Sequence, residues 1–288
     1  MFSLVPHKVL VPEDVAALRG HPEFRAAVEF LAVDNGRKLA AMSLIERWMT
    51  RDLGRAGLSA AVIVLDGLSQ GEGTTLGVLV DAAKRSKVCS RGRVRLYVER
   101  AAANGLMDTG IPGEALTHRT RIEILPSFRE VMRRGARTML RALTMLAPDV
   151  EPALGRLDDL RFFRRLTTAV GFQLEMRRDL FPTDGPVHLF LARDGGTRML
   201  EHLISLQVPG RDQFLQGCDI SRSGLARASF SSRVHVTRLF SDLEHAGLAR
   251  LDGQRLGASR ELSEDVERHY AAMFALLRGA VLSALATA

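Results

Sequence analysis

Arg91, Arg93 and Arg95 follow Ser90 in the stretch SRGRVRLYVERAAANGL, residues 90–106. Residues 232–248, SRVHVTRLFSDLEHAGL, repeat its length, its Ser-Arg opening and its Gly-Leu close. The polar set there is Ser231, Ser232, Arg233, His235, Thr237 and Arg238. A guanidinium is a planar, permanently charged fork that donates two parallel hydrogen bonds to a phosphate or to the edge of guanine. Hydroxyl and imidazole groups add donors and acceptors for other base edges. Arg119 and Arg121 follow the first stretch and Arg250 and Arg255 the second, in segments that read as hairpins. Cations on a hairpin meet phosphates or the minor groove, which positions a module without reading sequence. Both sets suit double-stranded DNA.

Such donors work only on a helix that is docked along its other face. Val94, Tyr97, Val98 and Ala101 form an apolar stripe at helical spacing, and Val236, Leu239, Phe240 and Leu243 form its counterpart. Asn104-Gly105 and Gly247 end the two helices. After the first, LMDTGIPGEALTHRTRIEIL reads as two short strands around a Gly/Pro-bearing loop. After the second, LARLDGQRLGASREL reads as a hairpin with Asp252-Gly253 at a two-residue turn.

The remaining segments are helical in pattern. VPEDVAALRG stops at Gly20, residues 21–54 continue with helical spacing, and GLSAAVIVLDGLSQGEG is a compact apolar helix. TTLGVLVDAAKRSK follows, with Thr74 or Thr75 as N-cap. A long basic helix precedes Pro148, another amphipathic helix covers about 152–180, and PTDGP breaks the pattern. Residues 187–207 are helical material and ISRSGLARASF is a short helix. The closing helix opens at Ser263 as N-cap, with Glu264 and Asp265 in its first turn. Helix, helix, amphipathic helix, hairpin and long helix thus occur twice, a repeat of about 140 residues.

Length and composition frame this reading. The chain has 288 residues, 46% hydrophobic and 25% charged, enough for two domains with real cores. Many soluble proteins tolerate a net charge of +7, so the placement of the arginines on the two stretches matters more than their excess. No unbroken run approaches the roughly 20 apolar residues of a membrane span, and the N-terminus lacks the pattern of a secretory signal, so a cytoplasmic protein without a membrane partner is expected. Two cysteines, Cys89 and Cys218, make neither a disulfide framework nor a metal site. Lys87 and Arg91 beside Cys89 are cations that lower a thiol pKa, which sets a redox-responsive cysteine against a plain turn residue. GEGTTLG lacks the lysine of a phosphate loop, and no metalloprotease or nucleophile-elbow motif is present. A noncatalytic chain without cofactor or metal is expected.

The pattern S-R-x-x-V with Gly-Leu behind it, then a hairpin and a long helix, resembles the MarR family of bacterial transcription regulators. The resemblance covers roughly residues 30–146 and 156–286, as two copies in tandem. It implies a mainly α fold with small β-hairpin wings, in which tandem winged helix-turn-helix modules form an intramolecular pseudo-dimer with long helices between them. The expected segments are an N-terminal helical region (1–54), a first module (55–150), a connecting helical region (151–194) and a second module (195–288). The function implied is sequence-specific operator binding, with repression as its sense and one chain holding both reading heads, a homodimer remaining open. A small aromatic or apolar effector is implied as well, in a crevice beside Trp48, Phe162 and Phe163. The alternative is a pair of winged helices that dock a partner protein instead of DNA.

Overall fold

The computed structural model describes residues 11–86, 89–110, 115–207 and 213–286. The fold is mainly helical with small antiparallel sheets. The leading helices are α1 (Pro12–Arg19), α2 (Phe24–Ala41), α3 (Leu44–Met49) and α4 (Leu53–Leu68). The helical pattern expected through 21–54 is interrupted before α3, where Ser43 and Glu46 cap each other's backbone N–H. Then come β1 (Thr74–Thr75), α5 (Leu76–Arg85), α6 (Arg91–Ala103), β2 (Met107–Asp108), β3 (Arg121–Ile124) and α7 (Pro126–Thr144). Of the two threonines proposed to cap α5, Thr75 does so, accepting from the Val78 N–H at 3.3 Å. The expected helix over 152–180 is two helices, α8 (Glu151–Arg156) and α9 (Leu160–Met176). The second half continues with α10 (His188–Leu191), α11 (Gly196–Ser205), β4 (Cys218–Asp219), α12 (Arg222–Ala228) and α13 (Arg233–His245). It ends with β5 (Ala249–Asp252), β6 (Arg255–Ala258) and α14 (Arg260–Ala286).

Both sheets have the same plan. β3 lies between β1 and β2, and β6 between β4 and β5, all antiparallel. The shared Gly-Leu ending of the two quoted stretches has one physical cause. Gly105 and Gly247 both adopt φ +68°, the left-handed conformation that closes a helix with a doubled hydrogen bond. Leu106 N–H then reaches the Ala101 carbonyl at 3.0 Å, and Leu248 N–H the Leu243 carbonyl at 2.8 Å. Each leucine in turn accepts from the residue behind the hairpin, Leu125 N–H at 3.0 Å and Ser259 N–H at 2.8 Å.

Two sequence expectations shift by a few residues. The second hairpin turns on Gly253 and Gln254, because Asp252 pairs with Arg255 as the last rung of the ladder. The closing helix begins at Arg260, and Ser259 caps it by accepting from the Leu262 N–H at 3.2 Å. Ser263 is buried inside the helix and accepts from the Phe214 N–H at 2.7 Å. Asp265 likewise binds the Val187 N–H, at 2.8 Å, so both residues tie down preceding chain. Helix α14 is long and apolar enough to cross a bilayer by length and composition, and 61% of its most apolar window is buried in the fold.

The described chain forms two compact units that are discontinuous in sequence. The first contains Ser43–Met176 and 276–286; the second contains Val11–Met42 and Arg177–Ala275. Segments 1–54 and 151–194, expected as regions of their own, are each divided between the units. In the first unit α4 packs against α9, and in the second α11 packs against α2. Each unit thus takes its long partner helix from the other copy of the repeat. Within the first unit, buried Asp66 on α4 holds Arg129 of α7 at 3.1 Å and Arg164 of α9 at 3.2 Å.

Candidate nucleic-acid interface

In the first unit the proposed reading residues lie on α6, whose Val94, Tyr97, Val98 and Ala101 are fully buried. Tyr97 reaches the Ser59 hydroxyl on α4 at 2.6 Å, and burial raises its pKa. Arg91, Arg93 and Arg95 are exposed. Arg93 donates to Asp52 at 3.0 Å, and Asp52 also caps α4 by accepting from the Arg55 N–H. Arg95 pairs with Glu99 at 2.9 Å along the same helix. Ser90 precedes α6 without making a side-chain cap bond. On the hairpin side, Arg119 is exposed, and Arg121 donates to the Glu72 carbonyl and lies 3.6 Å from its carboxylate. The Gly/Pro-bearing tip of this hairpin, at 111–114, lies outside the described residues.

In the second unit the set lies on α13, docked by fully buried Val236, Leu239, Phe240 and Leu243. Ser232 is the N-cap, accepting from the His235 N–H at 3.2 Å, and Ser231 donates to the Asp194 carbonyl at 3.3 Å. These two serines fix the entry to the helix. Arg233, Thr237 and Arg238 are exposed and His235 partly so. Asp242 on the same helix holds Arg193, and Glu244 accepts from the Leu251 N–H at 3.2 Å. Burial and the nearby Arg238 charge lower the Arg193 pKa. On the hairpin, Arg250, Asp252 and Arg255 share the exposed face, because alternate residues of a strand point the same way. With Gln216, Gly217, Leu256 and Gly257 they line an open groove of about 280 Å³. Among the described residues Arg233, Arg238, Arg250 and Arg255 have no hydrogen bond or ion pair from their side chains.

The aromatic residues expected around an effector do other work. Phe162 and Phe163 are core residues of the first unit, covered by the guanidiniums of Arg156 and Arg133. Trp48 stacks on Tyr97 with ring centroids 5.8 Å apart, and Arg55 and Arg100 lie over its ring. It is a wedge that seats α6. The sequence showed their apolarity but not their partners, of which Tyr97 and Arg100 for Trp48 and Arg133 for Phe163 lie far along the chain. A cavity of about 490 Å³ occurs in the second unit instead, between α2, α11 and the end of α12. Val33 and Leu39 supply apolar wall, Arg198, Glu201, His202 and Arg227 polar groups, and Phe230 borders the turn into α13.

Glu201 and His269 in this unit titrate in opposite senses. Burial pushes the Glu201 carboxyl up to about 7, against the Asn35 amide at 2.7 Å and the Arg198 charge. Burial pushes His269 down to about 4, against Asp265. From an ordinary 4.5 up to about 7 the folded chain keeps a Glu201 proton that the unfolded chain has lost. That contribution is therefore complete below the lower value and lost as pH rises through the upper one. His269 contributes above its ordinary 6.5, and this is lost as pH falls through about 4, because the unfolded chain takes up the proton first. The two slopes cancel over the shared range. Glu201→Gln leaves the histidine slope alone, so the variant should gain about 2 kcal/mol on the parent between about pH 5 and pH 8. Urea unfolding at the two pH values measures this, and an unchanging difference would refute the titration of Glu201.

Cys89 lacks the lowered pKa that the redox-responsive alternative requires. It is half-buried, and burial pushes its pKa up; Arg93 opposes this and Asp52 adds to it. Lys87 lies outside the described residues. Cys218 is buried at the start of a sheet, with its pKa pushed up to about 11. Among the described residues no group of three or more His, Cys, Asp or Glu is placed to hold a metal ion. Compared with family models, curated proteins and solved structures, the chain matches none, so its own geometry carries the functional argument.

Proposed function

We propose that this chain is a sequence-specific DNA-binding transcription regulator, a repressor in sense, built from two winged helix-turn-helix modules. The order strand, helix, reading helix, hairpin, with the hairpin's second strand central, supports the module and occurs twice. The observation that carries the reading is in the second unit. Arg233 and Arg238 are exposed on α13, Arg250 and Arg255 on the hairpin behind it, and all four are unpaired among the described residues. Guanidiniums left in this state are matched to anionic, acceptor-rich DNA, where a helix reads base edges and a wing grips phosphate. The cavity beside Phe230 supports a small effector, since the turn it borders sets the direction of α13.

Selection of bound duplexes from a random pool, at two salt concentrations, tests the proposal. An enriched motif is expected. Arg233→Ala should relax preference at one or two base pairs by about 1–3 kcal/mol. Arg255→Ala should weaken all sequences alike and lower the salt slope by about one. No enrichment, together with affinity indifferent to both substitutions, would favour a module that docks a partner protein.

A further inference from the structure

The two reading helices are not equivalent in what their arginines are free to do. In the first unit Arg93 is committed to Asp52, whose side chain is only 7% exposed and which also caps α4. To reach a base edge Arg93 must give up that carboxylate, which among the described residues would keep only Arg55, through its N–H and its guanidinium at 3.3 Å. The cost offsets part of what a bidentate base contact returns. Arg95 is paired along the helix with Glu99, which keeps a carboxylate on the face that would meet the groove. Leu96, 46% exposed, stands where the other helix has Arg238. Arg121 is held by Glu72. Only Arg91 and Arg119 of this set lack a side-chain partner among the described residues.

The second helix is arranged the other way. Its acidic residues are turned to internal use, Asp242 to Arg193 and Glu244 to the Leu251 N–H. Its two arginines, Arg233 and Arg238, and the hairpin's Arg250 and Arg255 keep their donors among the described residues. We infer that base reading belongs to the second unit alone, through Arg233 and Arg238 of α13, and that the first unit contributes sequence-independent phosphate contacts through Arg91 and Arg119. The operator is then a single half-site with an unread flank, in place of two half-sites. This rests on the DNA-binding function proposed above.

The test uses the full chain, fluorescence anisotropy and the duplex obtained by selection, with each base pair replaced in turn and the salt varied. One contiguous block of preferred base pairs is expected. Arg233→Ala and Arg238→Ala should each reduce discrimination about tenfold or more at particular base pairs. Arg91→Ala and Arg119→Ala should leave discrimination unchanged, weaken every duplex alike and lower the salt slope by about one each. Leu96→Arg should add preference in the flank. A second block of preferred base pairs that Arg91→Ala or Arg93→Ala erases would overturn the inference while leaving the DNA-binding function intact. Indifference of affinity and salt slope to all of these arginine substitutions would instead remove the DNA-binding function itself.

Discussion

Asp66→Ala should destabilise the first unit by about 3–5 kcal/mol, read as a shift in the urea unfolding of the full chain. Asp66 is 3% exposed, and its two carboxylate oxygens serve Arg129 of α7 and Arg164 of α9. Removing the carboxylate leaves two mostly buried guanidiniums without their common acceptor, which is the expensive way to break such a cluster. Replacing all three residues with apolar ones of similar volume should cost far less, because no charge is then stranded. If Asp66→Ala costs under about 1 kcal/mol, the cluster is no better than a surface ion pair.

Gly196→Ala should cost the second unit about 3 kcal/mol by overpacking. A Cβ built there falls 1.8 Å from the Phe190 carbonyl oxygen, a backbone atom of α10. No side-chain rotation relieves that approach, so α10 or the start of α11 must move. The shift should reach α13, since the Asp194 carbonyl beside this site accepts from Ser231 at the entry to that helix. Lower thermal stability together with weaker DNA binding is expected. Unchanged stability would mean that the α10–α11 junction yields at little cost.

What was legible in the sequence is what local spacing controls. Helices α6 and α13, their apolar stripes and their glycine stops follow from side chains three, four and seven residues apart and from one left-handed position each. The start of α14 was not legible, because Ser259 and Ser263 are equally good caps by type and the choice depends on the hairpin bonding Ser259 to Leu248. The Arg93–Asp52 pair, which divides the candidate site into committed and free arginines, joins residues 41 apart and left no local signal. The assignment of α2 and α9 was least legible of all. The partners α11 and α4 lie far from α2 and α9 along the chain, so local spacing carries no signal of which unit each helix joins.

That exchange bears on the order in which the protein is made. Domains generally fold as units while synthesis proceeds from the N-terminus. Here α2 is synthesised long before its partner α11, and α4 leaves the ribosome before α9 exists. Neither unit is complete until the second copy of the repeat has been translated, and the first still awaits residues of the closing helix. A nascent chain that stops near Pro148 therefore carries two uncovered apolar helix faces, a substrate for chaperones and proteases. Translation past that point is what turns it into a stable protein.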